Sequence, residues 1–410
     1  MNLITRPIKI TENEGFTKND IFNRKDFGEQ LKNLILNIGG TTIGLESGWG
    51  NGKTTFIKMW QGHVKDDFDT IYFDAFANDY QKDIFLAFVA QIYPLISDKN
   101  IQEKFKKNAV NVAKSLARGG VKLVTRSLSG GLLDGSEITN IFERQIDDRL
   151  DNAKKDEQAM IEFKNCLQEW ADKQDKPLVF IIDELDRCRP DVALEMLEQI
   201  KHLFSIEKIT FLLVTHKPQL ELSIKHRYGN INASEYLQKF VNFWISLPMI
   251  KLDYGESNIE KYADIIFKPL TGSFPIHKSF ILFLISKNQP SLREIEQIAG
   301  YLAIASNEKQ EVRDDYQVLL GFVCYLKVCN PDVLEKIVKH NANIVDILAK
   351  VNIGDGDNNY KRRIEYDLAD KETRKSMSDD NEIPGRIDYY NHDESVIKFC
   401  YGWIQLINKE

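Results

Sequence analysis

The sequence predicts an α/β fold with a mostly parallel central sheet, followed by a helical lid and a helical C-terminal region. Three observations carry that expectation. Short apolar runs such as TIYFDAF, LVFII and ITFLLV alternate with longer stretches of helical spacing up to about residue 250. The run in KPLVFIIDE lacks the polar alternation of a one-sided strand, which marks a parallel strand covered on both faces. Beyond residue 250 no comparable run occurs, and the apolar spacing is mostly helical.

Taken in order, KDFGEQLKNLILNI (25–38) places Phe27, Leu31, Leu34 and Ile35 on one helical face and should end before Gly39-Gly40. TTIGLES reads as a strand, and GKTTFIKMW as the helix that leaves the loop after it. TIYFDAF (70–76) is the second strand, followed by an apolar-rich helix through DIFLAFVAQIYPLI. KPLVFIIDE is a central strand, DVALEMLEQIKHLF its helix, and KITFLLVTH another buried strand. FILFLISK, IEQIAGYLAIA, YQVLLGFVCYLKV and VLEKIVKHNANIVDILAKV are helical, and roughly 352–395 reads as loop-heavy.

A chain of 410 residues is too long for one ordinary domain. The expected division is an α/β core in 1–250, with a basic, small-residue-rich insert at about 98–137; a helical lid in 251–310; and a helical, partly loop-rich region in 311–410. A net charge of -7 excludes a global electrostatic drive towards nucleic acid or anionic lipid. The five cysteines make no metal-binding spacing, and their odd, scattered arrangement suits a reducing cytoplasm. The N-terminus holds no apolar run of signal-peptide length, and LVFII is too short to span a bilayer. The expectation is a cytoplasmic protein with no transmembrane segment.

The stretch LESGWGNGKTTF (45–56) carries the chemistry. It fits G-x-x-x-x-G-K-[ST] at Gly52, Lys53 and Thr54, with Ser47 in place of the first glycine. Such a loop curls successive backbone N–H groups around phosphates, with a helix N-terminus behind them. Ser47, Gly48, Trp49, Gly50, Asn51, Gly52, Lys53, Thr54 and Thr55 are therefore the expected nucleotide-binding residues. Lys53 reaches the terminal phosphates, Thr54 ligates Mg2+, and Trp49 reads as a packing residue. A second motif supplies carboxylates: in PLVFIIDELDRC, Asp183 is the natural Mg2+ partner and Glu184 the group that polarises the attacking water. ATP is favoured over GTP, because VTHKPQL lacks the N/T-K-x-D order of a guanine-reading segment. Thr215 or His216 is placed to sense the γ-phosphate, with capping or packing an equal reading for His216.

On these residues the chain resembles the KAP family of P-loop NTPases, over about residues 15–305. GWGNGKTT has that family's Trp before Gly, IYFDAF resembles its F-N-A-W signature, DELDRCRP its strand-end D-[DE]-L-D-R-C motif, and EYLQKFVNFWISLP its downstream segment. Ser47, Asp74 and Phe76 depart from the pattern. The resemblance implies a Mg2+-dependent ATPase, often of bacterial defence against phages and plasmids, with a γ-phosphate-sensing arginine from a lid or a neighbouring subunit. Arg187 and Arg293 are the candidates. Arg187 fits a salt bridge to Asp186 equally well; Arg293 follows Ser291, which with Glu294 has the form of a capping box. Lys239 is a weaker candidate.

Many members of the family carry transmembrane helices between the loop and the acidic strand, and here that place holds no membrane-length run. Lys114, Arg118, Lys122 and Arg126 recur there every four residues. The stripe fits either a solvated helix face or an anionic partner, whether a membrane surface, a nucleic-acid backbone or an acidic subunit. The leading functional expectation is a nucleotide-driven conformational or assembly switch acting through a homo-oligomer or a separate effector protein. The alternatives are a nucleic-acid motor or remodeller, and a nucleotide-dependent scaffold without turnover.

Overall fold

The computed structural model describes residues 14–119 except 82, then 135–248, 258–268, 275–306, 314–339, 343–354 and 357–368, with residues 10 and 377. Among the described residues five strands form a single parallel sheet: β1 (Thr42–Glu46), β2 (Asp69–Asp74), β3 (Leu178–Asp183), β4 (Ile209–Thr215) and β5 (Phe243–Ser246), in the order β2-β3-β4-β1-β5. Around it run α1 (Lys25–Ile38), α2 (Lys53–Val64), α3 (Ile84–Ile92), α4 (Lys99–Gly119), α5 (Gly135–Asp172), α6 (Pro190–Gln199), α7 (Lys217–Tyr228) and α8 (Ala233–Leu237). The helical part comprises α9 (Asn258–Phe267), α10 (Pro275–Asn288), α11 (Leu292–Ser306), α12 (Asp314–Cys329), α13 (Pro331–Val338), α14 (Ile344–Lys350) and α15 (Asn358–Leu368).

The period-2 geometry of a strand sends alternate side chains to opposite faces. Phe180 and Ile182 of β3, with Phe211 and Leu213 of β4, pack under α3 to α8. Val179, Ile181, Leu212 and Val214 face the other way, onto α1 and α2. Both β3 and β4 are buried along their whole length, as continuous apolar runs require.

β5 was invisible to the apolar pattern. It is an edge strand of four residues with Phe243 and Ser246 exposed, and it reads as FWIS without alternation. What seats it is Gly44 of β1, opposite Trp244: a Cβ at residue 44 would lie 2.3 Å from the indole.

The expected insert at about 98–137 takes in α4 and only the start of α5, which runs on to Asp172; the two helices pack against each other. Their contact is apolar, with Phe105, Ala109 and Val112 meeting Ala159 and Phe163. Lys114 is exposed on α4; the side chain of Arg118, and all of Lys122 and Arg126, lie outside the described residues, as does most of the tail from 369 onward. No helix among the described residues is long and apolar enough to cross a membrane. In the helical part, α9 to α15 share one hydrophobic cluster, against which Ile21 and Phe22 from the segment before α1 also pack.

Replacing Gly44 with alanine should lower stability in urea unfolding by about 1–3 kcal/mol, because the indole of Trp244 must give way. Gly354→Ala, where nothing lies within 4 Å of the added carbon, should stay within about 0.5 kcal/mol of the parent.

Candidate functional site

The site lies at the C-terminal edge of the sheet, where β1 ends in the loop and β3 ends in carboxylates, with β4 between them. The loop needs left-handed backbone at two places, and glycines occupy both: Gly50 has φ +77° and Gly52 φ +78°. Lys53 opens α2 and folds back across the loop, donating to the carbonyls of Ser47 (2.8 Å) and Gly48 (3.1 Å). Two of its three donors thus brace the loop. Burial lowers the Lys53 pKa, while Asp186, Asp183 and Glu184 oppose that shift.

Asp183 is fully buried at the end of β3. One carboxylate oxygen accepts from the Thr54 hydroxyl at 2.7 Å and from Tyr72 at 2.9 Å; the other accepts from the Glu184 N–H at 2.8 Å. Burial raises its pKa and these three donors pull the other way. Desolvation, reinforced by the same carboxylate, holds the Tyr72 phenol well above its ordinary range. Thr54 and Asp183 supply hard oxygen donors side by side, which suits Mg2+. Among the described residues no group of three or more His, Cys, Asp or Glu could hold a metal. A metal here would therefore need phosphate oxygens and water to complete its shell.

Glu184 adopts φ +61°, uncommon for a residue with a side chain. Its carboxylate pairs with Arg187, and burial raises its pKa against that pairing. Of the two readings of Arg187, the salt bridge to Asp186 does not form, and its ion pair is with Glu184. The reason is the short 3-10 turn Leu185–Arg187, which returns the arginine over residue 184.

Asp186 instead gathers three donors: the indole N–H of Trp49 at 2.5 Å, the Thr215 hydroxyl at 2.9 Å and the His216 backbone N–H at 3.0 Å. Trp49 is accordingly a tether as well as a packing residue; it is 45 % exposed, and its ring meets His216 edge-on at 5.1 Å. His216 precedes α7 without a side-chain capping bond.

The helical part reaches the loop directly. Ser291 and Glu294 cap α11 reciprocally. A Cβ at Gly50 would lie 2.9 Å from Cβ of Arg293 and 3.1 Å from the Ser291 hydroxyl. Arg293 is exposed at that seam and belongs to the same chain as the loop. Lys239 lies away from these contacts, its ammonium 4.9 Å from the Tyr236 ring. Three participants were given no role from the sequence: Tyr72 and Asp186, although both lie in motif segments, and Arg24. Arg24 is 2 % exposed, and its guanidinium reaches the Asn51 carbonyl with both terminal nitrogens at 3.3 Å.

A parallel sheet, a glycine-bent loop braced by its own lysine, and a buried strand-end aspartate against the loop threonine define a P-loop NTPase domain. The chain belongs to the KAP family: the KAP family P-loop domain matches residues 24–308. No curated protein matches it. Among solved structures it is similar to the ADP form of the Aeropyrum pernix ORC2 protein, at 14% identity over 95% of this chain and 97% of that one, with a TM-score of 0.34. It is also similar to a DNA replication initiation factor (12% identity, 85% and 88% covered, TM-score 0.31). AMPPCP-bound DnaA from Aquifex aeolicus is a third (10% identity, 84% and 87% covered, TM-score 0.27).

Asp186→Ala should cost about 1–3 kcal/mol of stability by stranding three donors, and Trp49→Phe about 1 kcal/mol. The double variant should lose less than the sum, by about 0.5–1.5 kcal/mol, in a urea-unfolding double-mutant cycle.

Proposed function

We propose that this chain binds ATP with Mg2+ at the loop, hydrolyses it, and uses the cycle to change conformation or assembly state. The observation that carries the reading is the 2.7 Å bond between Thr54 and Asp183. It brings the loop hydroxyl and the strand-end carboxylate to one point at the mouth of the phosphate loop.

In this reading the backbone N–H groups of Gly48 through Thr55 and the ammonium of Lys53 bind the phosphates. Thr54 and Asp183 hold Mg2+, which when bound neutralises developing phosphate charge. Glu184 accepts a proton as water adds to the γ-phosphorus and the bond to the β–γ bridging oxygen breaks, leaving ADP and inorganic phosphate. To act, Glu184 must leave Arg187, so Arg187 serves as its restraint in the resting chain. Arg293 senses the γ-phosphate from the lid of the same chain.

The switch follows from the seam. Ser291 and Arg293 rest on Gly50, so filling the loop bears directly on α11 and the shared cluster behind it. The output passes to a second copy of the chain or to a separate effector. The described cysteines, Cys166, Cys188, Cys324 and Cys329, are free thiols, which supports a cytoplasmic setting.

The test is phosphate release from ATP and from GTP across a range of protein concentrations. Wild type should turn over ATP in preference to GTP and stop on EDTA addition. Glu184→Gln should lose at least about 100-fold in turnover while still binding ATP, and Lys53→Ala should lose binding. Nucleotide binding without any turnover would favour the scaffold reading, and stimulation by DNA or RNA the motor reading.

A further inference from the structure

We propose that Arg24 is a positioning residue for phosphate binding: by gripping the Asn51 carbonyl it turns the Gly52 N–H into the phosphate loop. The inference rests on the loop being a nucleotide site and says which residue outside it prepares it. A trans peptide is planar, so its C=O and N–H point in opposite directions; none of the described peptides is cis. The carbonyl of Asn51 and the N–H of Gly52 belong to one peptide. Both Arg24 terminal nitrogens hold that carbonyl, each at 3.3 Å. The Gly52 N–H therefore faces away from the guanidinium, and Gly52 is the N-cap of α2, directly before Lys53 and Thr54, whose N–H groups lack intrahelical partners. Anion-binding concavities are built from consecutive N–H groups aimed this way.

The grip is backed by packing on several sides. Arg24 Nη1 would sit 3.4 Å from a Cβ at Gly52, and Leu292 of α11 3.5 Å from it. The guanidinium lies 4.7 Å from the Phe22 ring centroid, a cation–π contact. Phe22 in turn packs on the helical cluster, with the Tyr262 ring 5.8 Å away. Asp20 fastens the segment by accepting from the backbone N–H groups of Arg24 (2.8 Å) and Lys25 (3.1 Å). Burial lowers the Arg24 pKa to about 10, so it remains a cation at neutral pH close to where phosphate would bind. The aim of the Gly52 N–H is thus tied to the helical body as well as to the loop. A fork is needed: an ammonium at residue 24 keeps the charge but not the two-pronged hold on one carbonyl.

The experiment is calorimetric titration of ADP and ATP into wild type, Arg24→Met and Arg24→Lys, with the thermal unfolding of each. Arg24→Met should weaken ADP and ATP alike by about tenfold, since both share the phosphate that meets the Gly52 N–H. Arg24→Lys should regain less than half of that loss on a logarithmic scale. A merely structural arginine would lower the unfolding temperature yet leave both affinities, measured well below it, at their wild-type values; that result overturns the proposal. If Arg24→Met fails to fold, Arg24→Lys decides: a several-fold loss supports the proposal and unchanged affinity overturns it. Wild type binding neither nucleotide overturns the nucleotide-site reading itself, and is told apart because it needs no change at residue 24.

Discussion

Two buried carboxylates, Asp183 and Asp186, are what the site is built around. An ionised carboxylate taken out of water costs several kcal/mol unless donors replace the lost hydration. Each is given three donors, and those donors come from five separate parts of the chain. Asp183 draws in Thr54 of α2, Tyr72 of β2 and the Glu184 N–H. Asp186 draws in Trp49 of the loop, Thr215 of β4 and the His216 N–H. Satisfying the two charges therefore fixes the loop against the sheet edge, and the geometry of the phosphate site follows from that electrostatic requirement.

Between the two lies Glu184, in a left-handed conformation that costs of order 1–3 kcal/mol. The surroundings enforce it. Asp183 accepts from its N–H, and its own carbonyl accepts from the Arg187 N–H at 3.1 Å and, weakly, from the Cys188 thiol at 3.8 Å. The backbone is thus held in a strained turn at the strand end, and strain at such a point is expected of a site organised for function rather than for stability. The Arg187 pairing adds a restraint on the side chain itself.

The α/β core was legible because its signals are local. KPLVFIIDE and KITFLLVTH announce strands buried on both faces, and both are buried throughout. The helix read over 25–38 is α1, Lys25–Ile38, and the box at Ser291 and Glu294 forms. β5 escaped because four residues at a sheet edge carry too short a pattern, and their strand state depends on Gly44 accommodating Trp244. For Arg187 the sequence leaves a sensing role and a salt bridge to Asp186 equally open, and the 3-10 turn Leu185–Arg187 directs its ion pair to Glu184 instead.

By itself the sequence determined the phosphate loop, the strand-end carboxylates and the alternation that makes a parallel sheet, since each is set by residue types within one short segment. Only the tertiary structure decided the rest. That Trp49 tethers the loop to Asp186, that Arg293 lies beside Gly50 in the same chain, and that Arg24 holds the Asn51 carbonyl all join residues far apart in sequence. The physical reason is the same for each. A hydrogen bond or a steric contact depends on the position of both partners, and that position is set by how the sheet order β2-β3-β4-β1-β5 and the helical body close around the loop.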